Sequence, residues 1–201
     1  METPLAPEIA DAWRASGLGA LSLRAVRPDD LDGIAAVLAL AEGYTVTEAE
    51  RALSFTLGAM KQSLAGFGDG GARQGLVAMD GEGGAMVAFL LYVLRNKLTD
   101  SYPTGDTLQR LPRSEFPGDG RFLQIFDLWV SPDWRRRGVA VALKRAGEAA
   151  ARSLGIGMIL TYTEAVHAAV LNLNAALGYR EIYRGPMWDE VERVALTKRL
   201  T

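Results

Sequence analysis

From residue 21 the chain alternates: Leu21, Leu23 and Ala25 face polar partners, so 21–27 reads as a half-buried strand. The period then changes. Pro28, Asp29 and Asp30 mark a helix start, because anionic side chains suit the positive N-terminal end. Leu31, Ile34, Val37 and Leu38 follow at helical spacing. A second helix is expected near Thr47, where Glu50 three residues on completes a capping-box pattern. Glycine-rich stretches at 66–75 and 80–84 bracket a short strand, GLVAMD. The second of them reads as a hairpin turn into a longer apolar strand at 86–94.

The second half repeats strand and helix. FLQIFDLWV at 122–130 is a strand. Val139, Leu143, Ala146, Ala150 and Leu154 then define one apolar helix face, and Gly155 supplies a helix end. A strand at 157–163 precedes a helix whose expected buried stripe is Val166, Val170, Leu173 and Leu177. Strands at 177–183 and 191–200 close the chain. The class is mixed α/β. Residues 1–20 are expected as a polar lead-in with a short helix at PEIADAWRA, and 21–201 as one domain. Residues 96–120 are polar, hold three prolines and lack periodicity, so a loop insertion is expected. A binding or lid segment and a solvated excursion are both open readings of it, and exposed aromatics at Tyr102 and Phe116 would favour the lid.

Composition narrows the chemistry. The 201 residues carry a formal net charge of −2, which argues against nucleic acid as the main partner. There is no cysteine and one histidine, His167, so thiolate chemistry and multi-histidine metal sites lack material, and no metal is expected. No apolar run reaches the roughly 18 residues of a membrane helix, and the N-terminus lacks a secretory pattern. The expectation is a cytoplasmic protein with no membrane partner.

One stretch asks for an anion. Arg135, Arg136 and Arg137 stand directly before Gly138, Val139 and Ala140, between a strand and a helix. The first amides of a helix have no internal partner, and the dipole adds partial positive charge. Small residues let a phosphate approach the backbone. Neither the P-loop spacing nor a strand-to-helix GxGxxG is present.

Val130-Ser131-Pro132 followed by Arg135 to Ala140 resembles the acetyl-CoA motif Q/R-x-x-G-x-G/A of the GNAT N-acetyltransferase superfamily. HAAVLNLNAALGY at 167–179 resembles that family's later helix and its LGF/LGY turn, and LRAVRPDDLDGIAAV resembles its opening. The likeness spans roughly residues 21–200. It implies a central, mostly antiparallel sheet of six to seven strands, splayed between strands four and five and flanked by helices. It implies acetyl-CoA as co-substrate, with its pyrophosphate on the amides of Arg136 to Ala140. The pantetheine arm would lie along Leu128 and Val130, and an N–H near Leu128–Trp129 would face the thioester carbonyl. The acceptor would be a primary amine of a small molecule or peptide, attacking directly. Such proteins often pair, so a homodimer is a further expectation.

Two readings stand for Asp127: it holds the incoming ammonium or accepts its proton through water, or it forms a structural ion pair with an arginine. Gln124 occupies the place where some relatives have a glutamate base, and an amide cannot act as one. Asn174 occupies the place of the tyrosine acid many relatives use; the resemblance sets it near the sulfur, with Tyr162 as the alternative donor. His167 either lines the pantetheine channel or lies on the helix surface. Trp134 either stacks on adenine or covers the helix end, and Trp129 packs in the core or lines the acceptor cleft. The competing function is a non-catalytic module of the same fold that senses coenzyme A.

Overall fold

The computed structural model describes residues 4–41, 61–81, 84–100, 107–187 and 189–200. The helix expected at Thr47 and the aromatic Tyr102 lie outside the described residues. The strands are β1 (Leu21–Ala25), β2 (Arg73–Asp80), β3 (Met86–Asn96), β4 (Arg121–Val130), β5 (Met158–Glu164), β6 (Arg180–Pro186) and β7 (Glu192–Arg199). They form one sheet in the order β1-β2-β3-β4-β5-β7-β6. Every neighbouring pair is antiparallel except β4 and β5, which are parallel. The described helices are α1 (Pro7–Arg14), α2 (Leu31–Ala41), the single turn α3 (Thr107–Arg110), α4 (Val139–Ser153) and α5 (Ala168–Ala176). This is the mixed, mostly antiparallel sheet that the resemblance implies.

The apolar run in β3 has a simple cause. Val87 to Val93 are buried continuously because both faces of this strand are covered. On one face α1 and α4 pack over Leu76, Leu90, Leu123 and Ile125. On the other, residues of α2 with Leu64 and Phe67 cover Val77, Phe89 and Leu91. A third cluster lies farther along that second face, around Phe122, Met158 and Leu160.

Four sequence expectations change. The N-terminal lead-in is not merely polar: Ile9 and Trp13, one helical turn apart, are buried in the α4-side core, and Trp13 Nε1 donates to the Leu21 carbonyl at 3.3 Å. Within 96–120, Leu108, Leu111 and Phe116 are buried, and the Phe116 ring stands edge-on to Phe122 at 5.1 Å. Those residues plug the third cluster, so Phe116 offers no exposed aromatic. Leu154 is exposed, because the helix has already ended beside Gly155 at φ +65°. Val166 and Val170 are exposed as well: Val166 sits in the turn before α5, and Asn174 is the one buried residue of that helix.

Asn174 belongs to a polar cluster inside the α4-side layer. Lys144 and Glu148, one turn apart on α4, are both buried, as is Tyr179. Lys144 Nζ donates to Asn174 Oδ1 at 2.5 Å and sits 4.3 Å from the centre of the Tyr179 ring. Glu148 Oε1 accepts from Lys198 Nζ at 2.7 Å. Burial pulls the Lys144 pKa down to about 7; Glu148 opposes the shift and Lys198 adds to it. The Tyr179 hydroxyl is buried with no hydrogen-bond partner among the described residues, and burial, with the Glu148 charge, pushes its pKa upward.

Two predictions follow from this packing. Trp13→Ala should lower unfolding free energy by about 3 kcal/mol in urea titration, because it empties a buried site. An unchanged midpoint would mean that α1 adds nothing to the core. For Lys144 the unfolded chain holds its proton up to about pH 10.5 and the folded chain only to about 7. Between those limits the unfolded state binds more protons, so stability rises with pH, by up to about 1.4 kcal/mol per pH unit. Lys144→Met should flatten the rise between pH 7 and 9, as read by denaturation at several pH values.

Candidate active site

The chain leaves β4 through a single turn of 3₁₀ helix, Pro132–Trp134. Arg135 folds back, its Nε donating to the Val130 carbonyl at 3.0 Å, and so ties the turn to the strand. Arg136 then takes φ +62° and Gly138 takes φ +84°. A non-glycine residue in that region costs about 1 kcal/mol or more, and such strain concentrates at functional sites. The Gly138 position is open: an added Cβ would meet nothing within 4 Å. Its glycine answers to the backbone angle and to access, not to packing.

Alternating left-handed residues at a helix entrance turn successive N–H groups into one concavity. Among the described residues, no hydrogen bond is made by the N–H groups of Arg136 through Val141. Val139 is buried and Ala140 half-buried, which fixes this first turn of α4 against the core. The Arg136 and Arg137 side chains are exposed around the rim. Arg137 lies 5.1 Å from the Trp134 ring centre, and Trp134 packs on the core, so this indole covers the helix end. The result is a positively polarised cradle of backbone N–H groups that make no hydrogen bond among the described residues.

Beside the cradle the sheet opens. β4 and β5 pair only at Leu123↔Ile159 and Gln124↔Leu160, after which both strands continue without pairing. Alternate backbone groups of β4 beyond Gln124 therefore face a gap. A bulge falls at the same point: Ile125 opposes Tyr92 and Asp127 opposes Leu91, which leaves Phe126 as the extra residue. The bulge changes which side chains face which way. Leu128 and Val130 pack toward α4. Asp127 shares its face with Leu91, and Trp129 stacks on Phe89 at 5.7 Å, so both lie on the α2 side.

The expected site residues thus divide between the two faces. Asp127 lies on the α2 side, half-buried, and Tyr162 occupies the same side of β5, packed against the third cluster. Leu128, Val130 and the cradle lie on the α4 side. Asn174 is on that side too, but both ends of its amide are engaged: Oδ1 accepts from Lys144, and Nδ2 donates to the Val170 carbonyl at 3.0 Å. His167 stands at the N-terminus of α5 with an exposed side chain, its Nε2 3.9 Å from Glu164.

Sequence reasoning missed three residues at the gap. Arg73 of β2 reaches across β3, its guanidinium 4.5 Å from the Phe67 ring and 5.3 Å from the Phe126 ring. Arg95 of β3 donates from Nε to Gln124 Oε1 at 3.2 Å. Phe126, the bulge residue, is exposed. Their proximity depends on cross-strand register, which the isolated pattern of each strand does not carry.

The comparisons bear on this geometry. No curated protein sequence matches the chain. Among solved structures it is similar to Arabidopsis thaliana NAA60 in complex with acetyl-CoA, at 14% identity and TM-score 0.64, covering 89% of this chain and 98% of that one. The same plant protein in complex with a bisubstrate analogue gives 15% identity and TM-score 0.62, covering 90% and 98%. The ribosomal-protein-S18-alanine N-acetyltransferase of Escherichia coli gives 14% and 0.58, covering 90% and 94%. At these identities the likeness is one of fold. The model of the acetyltransferase (GNAT) family matches residues 44–179, the span that holds the cradle, the opened strand pair and the LGY turn, and the chain belongs to that family.

Proposed function

We propose that the chain is an N-acetyltransferase, moving an acetyl group from acetyl-CoA to a primary amine within one ternary complex. A single observation carries this reading: the anion cradle and the opened strand pair adjoin on β4. A ligand with a pyrophosphate at one end and an extended amide-bearing arm needs those two features, in that order.

In this reading the N–H groups of Arg136 to Ala140 hold the pyrophosphate, with Arg136 and Arg137 adding charge at the rim. Arg135 positions the turn through Val130. The open edge of β4 at Leu128 to Val130 pairs with the pantetheine arm. An N–H near Leu128–Trp129 meets the thioester oxygen, where negative charge grows as the amine adds. The new bond is N–C, the broken bond is C–S, and the thiolate leaves.

An ordinary amine has a pKa near about 10 and arrives as ammonium. Asp127, on the acceptor side of β4, receives the ammonium and takes its proton directly or through water. Tyr162, on the same side of β5, is the candidate donor to the leaving thiolate. Asn174 holds α5 to Lys144 and is assigned a positioning role rather than that of the acid. His167 lies at the α5 entrance and is assigned no chemical step.

Calorimetry with acetyl-CoA tests the cradle. Wild type should bind in the micromolar range, and Gly138→Trp, whose side chain fills the open approach, should weaken binding by about tenfold or more. No binding by the wild type would remove this reading. Asp127→Asn should keep acetyl-CoA affinity and lose about a hundredfold in kcat. Binding without turnover of any amine would support the coenzyme A sensing module instead.

A further inference from the structure

We propose that Lys144 is a positioning residue for acetyl-CoA: its hydrogen bond to Asn174 ties α5 to α4 behind the cradle and so sets the spacing that admits the coenzyme's arm. The inference rests on the acetyltransferase reading above and assigns a further residue to that site.

The two helices start at the same end of the sheet. β4 and β5 are parallel and part beyond Gln124 and Leu160. α4 begins just after β4, at the cap residue Gly138, and α5 just after β5, at the cap residue His167. Both entrances therefore stand at the opened end of the strand pair, and both helices run back from it. They share one face of the sheet, since Val139 and Leu143 of α4 and Leu171 of α5 pack into one core cluster. Lys144 lies six residues past Gly138, roughly 9 Å down its helix, and Asn174 seven past His167, roughly 10 Å down its own. Their bond therefore joins the helices at matching depth and leaves the two first turns on either side of the opening.

α5 is otherwise thinly held. Asn174 is its one buried residue, and its first turn, Ala168 to Val170, is exposed. Asn174 carries the constraint into that turn, because its Nδ2 donates to the Val170 carbonyl. Lys144 is itself held in place. Its Nζ stands 4.3 Å from the centre of the Tyr179 ring, and the Tyr179 N–H donates to the Asn174 carbonyl at 2.9 Å. Glu148, one turn along α4, is paired with Lys198 of β7.

Desolvating a lysine here costs stability, and an apolar side chain of similar volume would pack α4 without that cost. What the hydrogen bond adds is direction. Apolar faces slide on one another, whereas a donor and an acceptor hold one distance and one angle. The contact is thus suited to fix a spacing rather than to add stability. In the acetyltransferase reading the arm passes from the cradle to the β4 edge between the two first turns, so that spacing decides whether the arm fits.

Calorimetry with two ligands is the test. Acetyl-CoA carries a pyrophosphate and the arm; ADP, measured as its competitor, carries a pyrophosphate alone. Lys144→Met and Asn174→Leu should each weaken acetyl-CoA binding about tenfold and change ADP binding by no more than about twofold. The double variant should bind no more weakly than either single one, because both remove the same bond. Asn174→Asp, which keeps an acceptor oxygen, should retain most of the affinity. Wild-type acetyl-CoA affinity in Lys144→Met or Asn174→Leu would overturn the proposal. So would an equal loss for both ligands, losses that add in the double variant, Asn174→Asp as weak as Asn174→Leu, or ADP that fails to compete in the wild type. Should Lys144→Met not fold, the two Asn174 variants decide on the same terms. Failure of wild type to bind acetyl-CoA would instead overturn the acetyltransferase reading, and this inference with it.

Discussion

A β-strand that gives up a neighbour leaves backbone donors and acceptors facing empty space, and the strand must then be held from its other edge. β4 meets that condition along its whole length by pairing with β3, from Arg121 opposite Asn96 to Val130 opposite Ala88. It pairs with β5 at only two positions. The unpaired edge is thus built onto the best-anchored strand in the sheet. The central burial of β3, with seven consecutive residues in the core from Val87 to Val93, makes an opening there tolerable. A gap beside a less buried strand would loosen it, since lost ladder bonds need compensation from packing.

The bulge at Phe126 belongs to the same constraint. Without it, strict alternation from Ile125 would set Asp127 on the α4 side and Leu128 on the other. One extra residue reverses this assignment beyond the opening. It sends Asp127 and Trp129 toward the α2 side while Leu128 and Val130 stay in the α4-side core. The first turn of α4 and the Asp127 side of β4 are consequently on opposite faces of the sheet.

How much of this was legible in the sequence depends on the range of the interaction. The strand–turn–helix around Gly138 is local, and small residues after three arginines signal it. The left-handed Arg136 is not legible, because an arginine does not announce positive φ. Ile9 and Trp13 carried an i, i+4 signal, but a polar surrounding hid it, and only packing against α4 shows its meaning. Leu108 and Leu111 gave the same weak signal at i, i+3. Lys144 and Glu148 look like a solvated i, i+4 pair in sequence; they are buried because α5 and β7 close over that side of α4. The contacts of Arg73 with Phe126 and of Arg95 with Gln124 come from register between strands, which no single segment encodes. The identity of the fold was readable for this reason, while the sorting of site residues between the faces was not.

The Lys144–Asn174 contact shows how a polar link can stand where apolar packing is thin. α5 buries Asn174 alone, with Leu171 and Leu177 partly packed nearby. A buried ammonium is costly, and the depressed pKa near 7 expresses that cost. Loss of the proton does not break the link, since a neutral amine still donates to Asn174 Oδ1. The charge and the hydrogen bond are therefore separable: the first titrates near neutrality, and the second persists on either side. α4 carries both the cradle at its N-terminus and this lysine just over one turn farther along. Through Lys144, then, the helix whose first turn follows the three arginines is also tied to α5, by a bond that survives the change of charge.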